Sequence, residues 1–268
     1  MLCNQYSIFC MKKMTNNIYL ETNSGLIEYL NSNYTSDTLF IIDSNLSDIN
    51  IDEKVNARVS YFEIKEDTKN LASVEKIWDL LFEQNLNRSS EIVIIGGGVL
   101  LDVCAFASST FKRGISFSFV PSTLLSMVDA SHGGKNGFNN TYGKNQIGTF
   151  TLPERVIICY ELLDTLHIDN YKDGLIELIK HGMIANEKIF NSMITQAGFN
   201  VDFETIKQGI NVKMNIVNED FLEGNKRKLL NFGHTVGHII EKDSNYEVTH
   251  GQAVAMGIYY ELLISKDC

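Results

Sequence analysis

Short apolar runs alternate with amphipathic stretches over roughly the first 160 residues, and beyond them the apolar spacing changes. Residues 17–20 and 38–42 (Thr-Leu-Phe-Ile-Ile) read as strands, with helical spacing over 24–32 between them. Glu66-Asp67-Thr68-Lys69 precedes a helical pattern in which Leu71, Val74, Ile77, Trp78 and Leu81 share one face and read as core. Glu91–Ile95 reads as a strand, 99–110 as a helix and 116–120 as a strand, which together make a βαβ unit. Residues 155–160 read as the last strand, so this half is α/β with a mainly parallel sheet. From about residue 167 strands disappear, and 171–195, 203–219, 227–242 and 250–265 all carry helical spacing. The expected organisation is an α/β unit over 15–166 followed by an all-α unit over 167–268. Residues 1–14, with three methionines, read as a disordered extension.

Composition narrows the class without naming a chemistry. At 268 residues, 44% hydrophobic and 21% charged, the chain is an ordinary globular protein large enough for a proper core. A net charge of −10 argues against a nucleic-acid partner. No apolar run reaches membrane-spanning length, and the N-terminus lacks the apolar core of a signal peptide. Cysteines 3, 10, 104, 159 and 268 follow no metal or disulfide spacing, which suggests free thiols in a reducing cytoplasm.

The chemistry is concentrated in two places. Residues 91–148 run from a strand into Gly96-Gly97-Gly98 and then a helix of small and apolar residues. Glycines let backbone N–H groups approach an anion, and a helix N-terminus favours negative charge, so this is a candidate phosphate cradle. The pattern GGGVLLD fits neither GxGxxG nor GxxxxGK[ST]. Arg113, Asp129, Lys135, Lys144 and Asn145 follow among further glycines, a set suited to an anionic, oxygen-rich ligand. Asp43, just past a strand, is placed either for a nucleotide ribose or for a local turn. In the helical half, Glu177 and Lys180 lie one turn apart, as do Arg227 and Asn231. His234 and His238, at i and i+4, form a candidate metal pair, and His250 opens the last helix. His132, His167 and His181 read as structural histidines.

The motifs GGGVLLD (96–102), KRG (112–114), PSTLL (121–125), VDAS-GGK (128–135) and GKNQIG (143–148) together resemble the 3-dehydroquinate synthases, within the wider group of sugar-phosphate cyclases. The resemblance extends from about Asp43 to the last residue. It implies a Rossmann-like NAD-binding α/β domain followed by an all-α metal-binding domain. It assigns Glu177, His234 and His250 to the metal, Zn2+ or Co2+, with His234 and His250 sixteen residues apart, and makes His238 a proton-transfer group. NAD would be held by Asp43, Asn45, Glu66, Lys69, Gly97, Gly98, Val99, Asp102, Ser122, Thr123, Lys144, Leu162 and Thr165. The substrate would meet Asp129, Lys135, Asn145, Lys180, Lys213, Glu223, Arg227 and Asn231. Arg113 would reach in from the other subunit of a homodimer.

The implied reaction starts from the sugar phosphate 3-deoxy-D-arabino-heptulosonate 7-phosphate. A ring hydroxyl is oxidised by NAD+, phosphate is eliminated, the hydride returns, and an intramolecular aldol step closes the ring of 3-dehydroquinate in the shikimate pathway. NAD is therefore recycled. Departures from the family pattern are Lys65 for a glycine, His132 for an aliphatic residue, Asn136 for a threonine and His167 for a proline. Three alternatives share parts of this reading: another sugar-phosphate cyclase, a metal-dependent polyol or alcohol dehydrogenase making net NADH, and an inactive truncated paralogue. Members of the family continue well past the helix that opens at His250. The expectation is therefore a poorly active form in which Val254, Met256, Ile258, Tyr260, Leu262 and Leu263 lose cover.

Overall fold

The computed structural model describes residues 15–46, 49, 58–195, 200–244 and 247–266. The expected extension over 1–14, and Cys3, Cys10 and Cys268, lie outside them. The elements are β1 (Asn16–Leu20), α1 (Asn23–Asn33), β2 (Thr38–Asp43), β3 (Arg58–Phe62), α2 (Leu71–Glu83), β4 (Glu91–Gly96), α3 (Gly98–Thr110), β5 (Ser116–Pro121), β6 (Lys135–Asn140), β7 (Gly143–Phe150) and β8 (Arg155–Cys159). Five helices follow: α4 (Ile168–Ala185), α5 (Glu187–Thr195), α6 (Phe203–Glu219), α7 (His234–Asp243) and α8 (His250–Ser265).

Six strands form one parallel sheet in the order β1-β8-β5-β4-β2-β3. Its inner strands β2, β4 and β8 are short, almost unbroken apolar runs buried along most of their length, as a strand covered on both faces requires. From β2 the chain steps outward to β3 and then back to β4, so the order reverses between β2 and β4. At such a switch point the loops diverge and leave a crevice beyond the strands' C-terminal ends. Asp43 ends β2 and Gly96 ends β4, side by side: a Cβ on Gly96 would lie 3.2 Å from that of Asp43.

Two strands run outside the sheet. β6 and β7 pair antiparallel as a hairpin with Gly137 opposite Gly148. A Cβ on Gly137 would overlap the Ile147 carbonyl, so glycine is required at this close crossing. The glycine-rich stretch that carries Lys135, Lys144 and Asn145 is thus a β-ribbon, for which the sequence reading placed no strands. The edge strand β3 is also absent from the sequence expectation. Leu71, expected in the core, is exposed, while Val74, Ile77 and Leu81 are buried. Cys104 and Cys159 are buried free thiols.

The helical half begins with α4 at Ile168 and is cut more finely than the spacing suggests. Asn186 interrupts the expected helix over 171–195, its side chain accepting from the Lys188 and Ile189 N–H groups to open α5. The expected helix over 227–242 begins as a 3-10 segment, Lys226–Asn231, and restarts at His234 after Gly233 turns in the left-handed region. Thr249 and Gln252 form a capping box at the start of α8. Asp173 on α4 anchors that start by accepting from Thr249 Oγ1 at 2.5 Å and from the Gly251 N–H at 3.0 Å. Along α8, Val254 and Ile258 are buried, whereas Met256, Tyr260, Leu262 and Leu263 are exposed. No helix among the described residues is long and apolar enough to cross a membrane.

Candidate active site

Two neighbouring helix starts and one helix interior converge on a single point. Glu177 lies one turn beyond Asp173 on α4, so the helix that pins the N-terminus of α8 also aims a carboxylate beside it. Glu177 Oε1 lies 3.7 Å from His234 Nε2 and 3.7 Å from His250 Nε2. The carboxylate is fully buried, and Oε1 has no hydrogen-bond donor among the described residues. The ligand atoms of these three residues all lie within 4.8 Å of one another, a spacing that metal–donor distances of about 2 Å can satisfy. A carboxylate and two imidazoles are a suitable donor set for Zn2+ or Co2+, so the residues fit the implied metal. His238 packs edge-on to His234 with ring centroids 5.4 Å apart and is outside the cluster. The structure thus brings together Glu177, His234 and His250, and leaves the i,i+4 partner His238 beside them.

Charges set the protonation of this cluster. Burial disfavours the Glu177 carboxylate, but Lys180, His250 and His234 outweigh it and hold its pKa well below the ordinary range. Lys180, one turn along α4, forms a buried ion pair with Glu177 Oε2. Burial, reinforced by Lys180, lowers the pKa of His234 to about 4. Burial acts the same way on His250, yet the neighbouring carboxylates of Glu177 and Glu241 reverse the balance and raise it to about 10. Partial burial lowers His238 against the pull of Glu241.

A second group lies beneath the cluster. Lys213 on α6 donates to Asp129 Oδ1 at 2.5 Å and to the Asp129 carbonyl at 2.6 Å. His181 and His132, expected to be structural, are both buried beside this pair with no hydrogen-bond partner for either ring among the described residues. Burial brings their pKa values to about 4 and about 3, so both are neutral near pH 7. His167 is exposed, and its Nδ1 accepts from the Asp169 N–H at the start of α4.

Several of the expected cofactor residues lie around the switch point. Gly97 caps α3 and Gly98 is its first residue. A Cβ on Gly98 would come within 3.2 Å of Ala130 Cβ, a tight contact, whereas one on Gly97 would meet Thr123 Cγ2 at an ordinary 3.4 Å. Ser122 donates its N–H to the Gly96 carbonyl, bringing Ser122 and Thr123 against the same turn. Asp43 currently accepts from the backbone and side chain of Asn45. Lys69 is buried and donates to Asp102 Oδ2 at 2.6 Å and to Asn145 Oδ1 at 2.7 Å. Glu66 accepts from Asn139 at 2.9 Å and lies 3.7 Å from Lys144. Leu162 and Thr165 follow β8 at the same end of the sheet; Leu162 is core and Thr165 is exposed.

The β6–β7 ribbon joins the two groups. Lys135 on β6 pairs with Glu223 at 2.6 Å, and Asn231 donates to the other Glu223 oxygen at 2.9 Å. Arg227 is buried, donates to the Phe221 carbonyl at 2.5 Å and lies over the Phe150 ring of β7. Asn145 and Glu223 hold left-handed φ values of 52° and 61°, conformations that non-glycine residues adopt at some cost and that concentrate at functional sites. Arg113 also has φ 70°, but it is exposed and follows the C-terminal end of α3 just before β5, at the opposite end of the strands from Gly96–Gly98. The structure does not bring Arg113 to this chain's own site. One residue that sequence reasoning missed is Glu241, buried beside His250 and Lys144. The signal was present: His234, His238 and Glu241 fall at i, i+4 and i+7 on one face of α7.

Comparison with known proteins identifies the family. Residues 60–173 match the family model described as 3-dehydroquinate synthase N-terminal, and 174–268 the one described as 3-dehydroquinate synthase C-terminal. A 3-dehydroquinate synthase from Pyrococcus furiosus is 44% identical over 201 residues, covering 74% of this chain and 59% of the relative. One from Helicobacter pylori is 40% identical over 227 residues, covering 82% and 66%. The chain thus spans about three-fifths of the length of these curated relatives. A crystal structure of 2-deoxy-scyllo-inosose synthase, complexed with carbaglucose-6-phosphate, NAD+ and Co2+, superposes with a TM-score of 0.81 at 28% identity, covering 93% of this chain and 75% of that one.

Proposed function

The chain belongs to the 3-dehydroquinate synthase family, and from that membership and the geometry of the site we propose that it converts 3-deoxy-D-arabino-heptulosonate 7-phosphate to 3-dehydroquinate and phosphate, using NAD and a divalent metal. The observation that carries the proposal is the buried Glu177 Oε1, 3.7 Å from the Nε2 atoms of both His234 and His250. When bound, the metal supplies Lewis acidity to the substrate hydroxyls and NAD supplies a hydride acceptor that is regenerated.

The chain's own residues then have separate tasks. Glu177, His234 and His250 hold the metal. Gly97 and Gly98 leave backbone N–H groups at the α3 N-terminus open to the pyrophosphate of NAD, with Val99, Ser122 and Thr123 around them. Asp43 and Asn45 lie at the ribose side. Lys69, fixed by Asp102, together with Glu66, Lys144, Leu162 and Thr165, completes the cofactor's surroundings. Lys135, Arg227, Asn231 and Asn145 present cations and amides to the two acidic groups of the substrate. Glu223 pairs with the exposed Lys135 and accepts from Asn231, which holds these two groups side by side. Lys180, Lys213 and Asp129 set the field beneath the reacting carbons. His238, its basicity lowered by partial burial, takes and returns a proton near the metal.

The enzyme would act as a cytoplasmic homodimer. Arg113, exposed at the opposite end of the strands from Gly96–Gly98, would then reach the site of the other subunit. Relatives at 40–44% identity carry the dehydroquinate synthase name, which favours the heptulosonate phosphate over the substrate of the inosose synthase at 28%. The test is phosphate release from the heptulosonate phosphate with NAD+ and Zn2+ or Co2+, in wild type, Glu177→Gln and His234→Ala. The proposal requires release by wild type and a loss of at least about 100-fold in both variants. No release by wild type, or undiminished release by the variants, would overturn it.

A further inference from the structure

We propose that Glu241 is a positioning residue that fixes the ring of His250 for metal binding and ties it to Lys144 on the β6–β7 ribbon. The inference rests on the metal site proposed above. Glu241 is 5% exposed, an unusual position for a carboxylate near the end of a helix. Its Oε1 lies 3.5 Å from His250 Nδ1 and 3.6 Å from Lys144 Nζ, so one oxygen sits between an imidazole and an ammonium. These partners come from two other elements, α8 and β7, and the carboxylate therefore links three pieces of chain. A solvated helix residue or a helix-end charge would be exposed and would have local partners.

The consequence for His250 follows from its two nitrogens. Its Nε2 faces Glu177 Oε1, and so lies in the metal cluster, while Nδ1 faces Glu241. A carboxylate at Nδ1 holds a proton there, which leaves the lone pair on Nε2 directed into the cluster and makes that nitrogen more basic. Lys144 favours the ionised carboxylate, and its second neighbour, Glu66 at 3.7 Å, belongs to the loop before α2. The ribbon that carries Lys135 and Asn145 is therefore connected to a metal ligand through the Glu241 carboxylate.

The experiment is a Co2+ titration of the whole chain in competition with a chromophoric chelator, with the visible absorption of bound Co2+ recorded in parallel. Wild type is compared with Glu241→Ala, Glu241→Asp, Glu241→Gln and Lys144→Met. Loss of an outer carboxylate is expected to weaken Co2+ binding about 10–100-fold in Glu241→Ala, and to alter the absorption bands. Glu241→Gln, whose amide oxygen still accepts from Nδ1–H, is expected to recover at least a tenth of wild-type affinity. If Glu241→Ala does not fold, Glu241→Asp, with its carboxylate withdrawn by one methylene, carries the same expectation of loss. Lys144→Met is expected to weaken binding by less than Glu241→Ala. Wild-type binding that is tight and unchanged in every Glu241 variant would overturn this inference alone. Equal losses in Ala, Asp and Gln, with no recovery by Gln, would also overturn it, since they indicate only a packing role. A wild type that takes up no Co2+ would overturn the metal site and this inference together.

Discussion

Replacing His132 by leucine should change how stability depends on pH more than it changes stability itself. His132 is 2% exposed, follows Asp129 by three residues, and has no hydrogen-bond partner for either ring nitrogen among the described residues. Burial lowers its pKa from the ordinary 6.5 to about 3, with Lys213 adding to the effect and Asp129 opposing it. Unfolded, the imidazole binds a proton near pH 6.5; folded, it stays neutral until far lower pH. Its contribution is therefore intact above pH 6.5 and is lost as pH falls from there towards 3. At pH 5 the unfolded state gains about 1.5 pKa units of protonation, roughly 2 kcal/mol at 1.36 kcal/mol per unit. At pH 7.5 the same term is about 0.1 kcal/mol.

Leucine has a similar volume and no titrating group, so His132→Leu should lose about 2 kcal/mol less than wild type between pH 7.5 and 5.0. Urea unfolding at both values measures the difference, and comparing the two proteins cancels the other histidines and the carboxylates. Parallel losses would refute the assignment of His132 as a buried neutral base. A steeper loss in the variant would refute the sign of the argument.

Other substitutions test other contacts. Gly257→Ala places a methyl group against the Gly233 carbonyl where α8 crosses the turn before α7; the strain should cost about 1–3 kcal/mol and reduce Co2+ affinity, as calorimetry and chelator competition would show. An unchanged melting temperature would mean that the two helices are not packed this closely. Lys69→Met leaves the Asp102 carboxylate without its ammonium partner at 2.6 Å, which should destabilise the chain by about 3 kcal/mol and weaken NAD+ binding measured by titration calorimetry. Unaltered NAD+ affinity would remove Lys69 and Asp102 from the cofactor site.

Periodicity located most of the framework because burial on two sides leaves unbroken apolar runs. β2, β4, β5 and β8 fall within a residue of their expected ends, and α6 spans 203–219 as expected. The misses share a cause. β6 and β7 are rich in Asn, Gly and Lys, and they pair through a glycine crossing that no apolar alternation marks. β3 is an edge strand whose partial burial leaves a weak pattern. The breaks at Asn186 and Gly233 are made by a side-chain cap and a left-handed turn, which helical spacing does not register. Spacing alone favoured His234 with His238 as ligands. The third dimension instead brings His234 to His250 and Glu177, across sixteen and fifty-seven residues of chain. Lys69, Asp102 and Asn145 meet in the same way, 33 and 76 residues apart along the sequence.

The most direct measurement is phosphorus NMR of the heptulosonate phosphate incubated with the chain, Zn2+ or Co2+, and NAD+ at one-hundredth of the substrate, while absorbance at 340 nm is followed. If NAD is recycled within a phosphate-eliminating cyclase, inorganic phosphate accumulates to many equivalents per NAD+ and no net NADH appears. Phosphate release that stops at one equivalent per NAD+, or NADH that rises in step with substrate loss, would contradict the account.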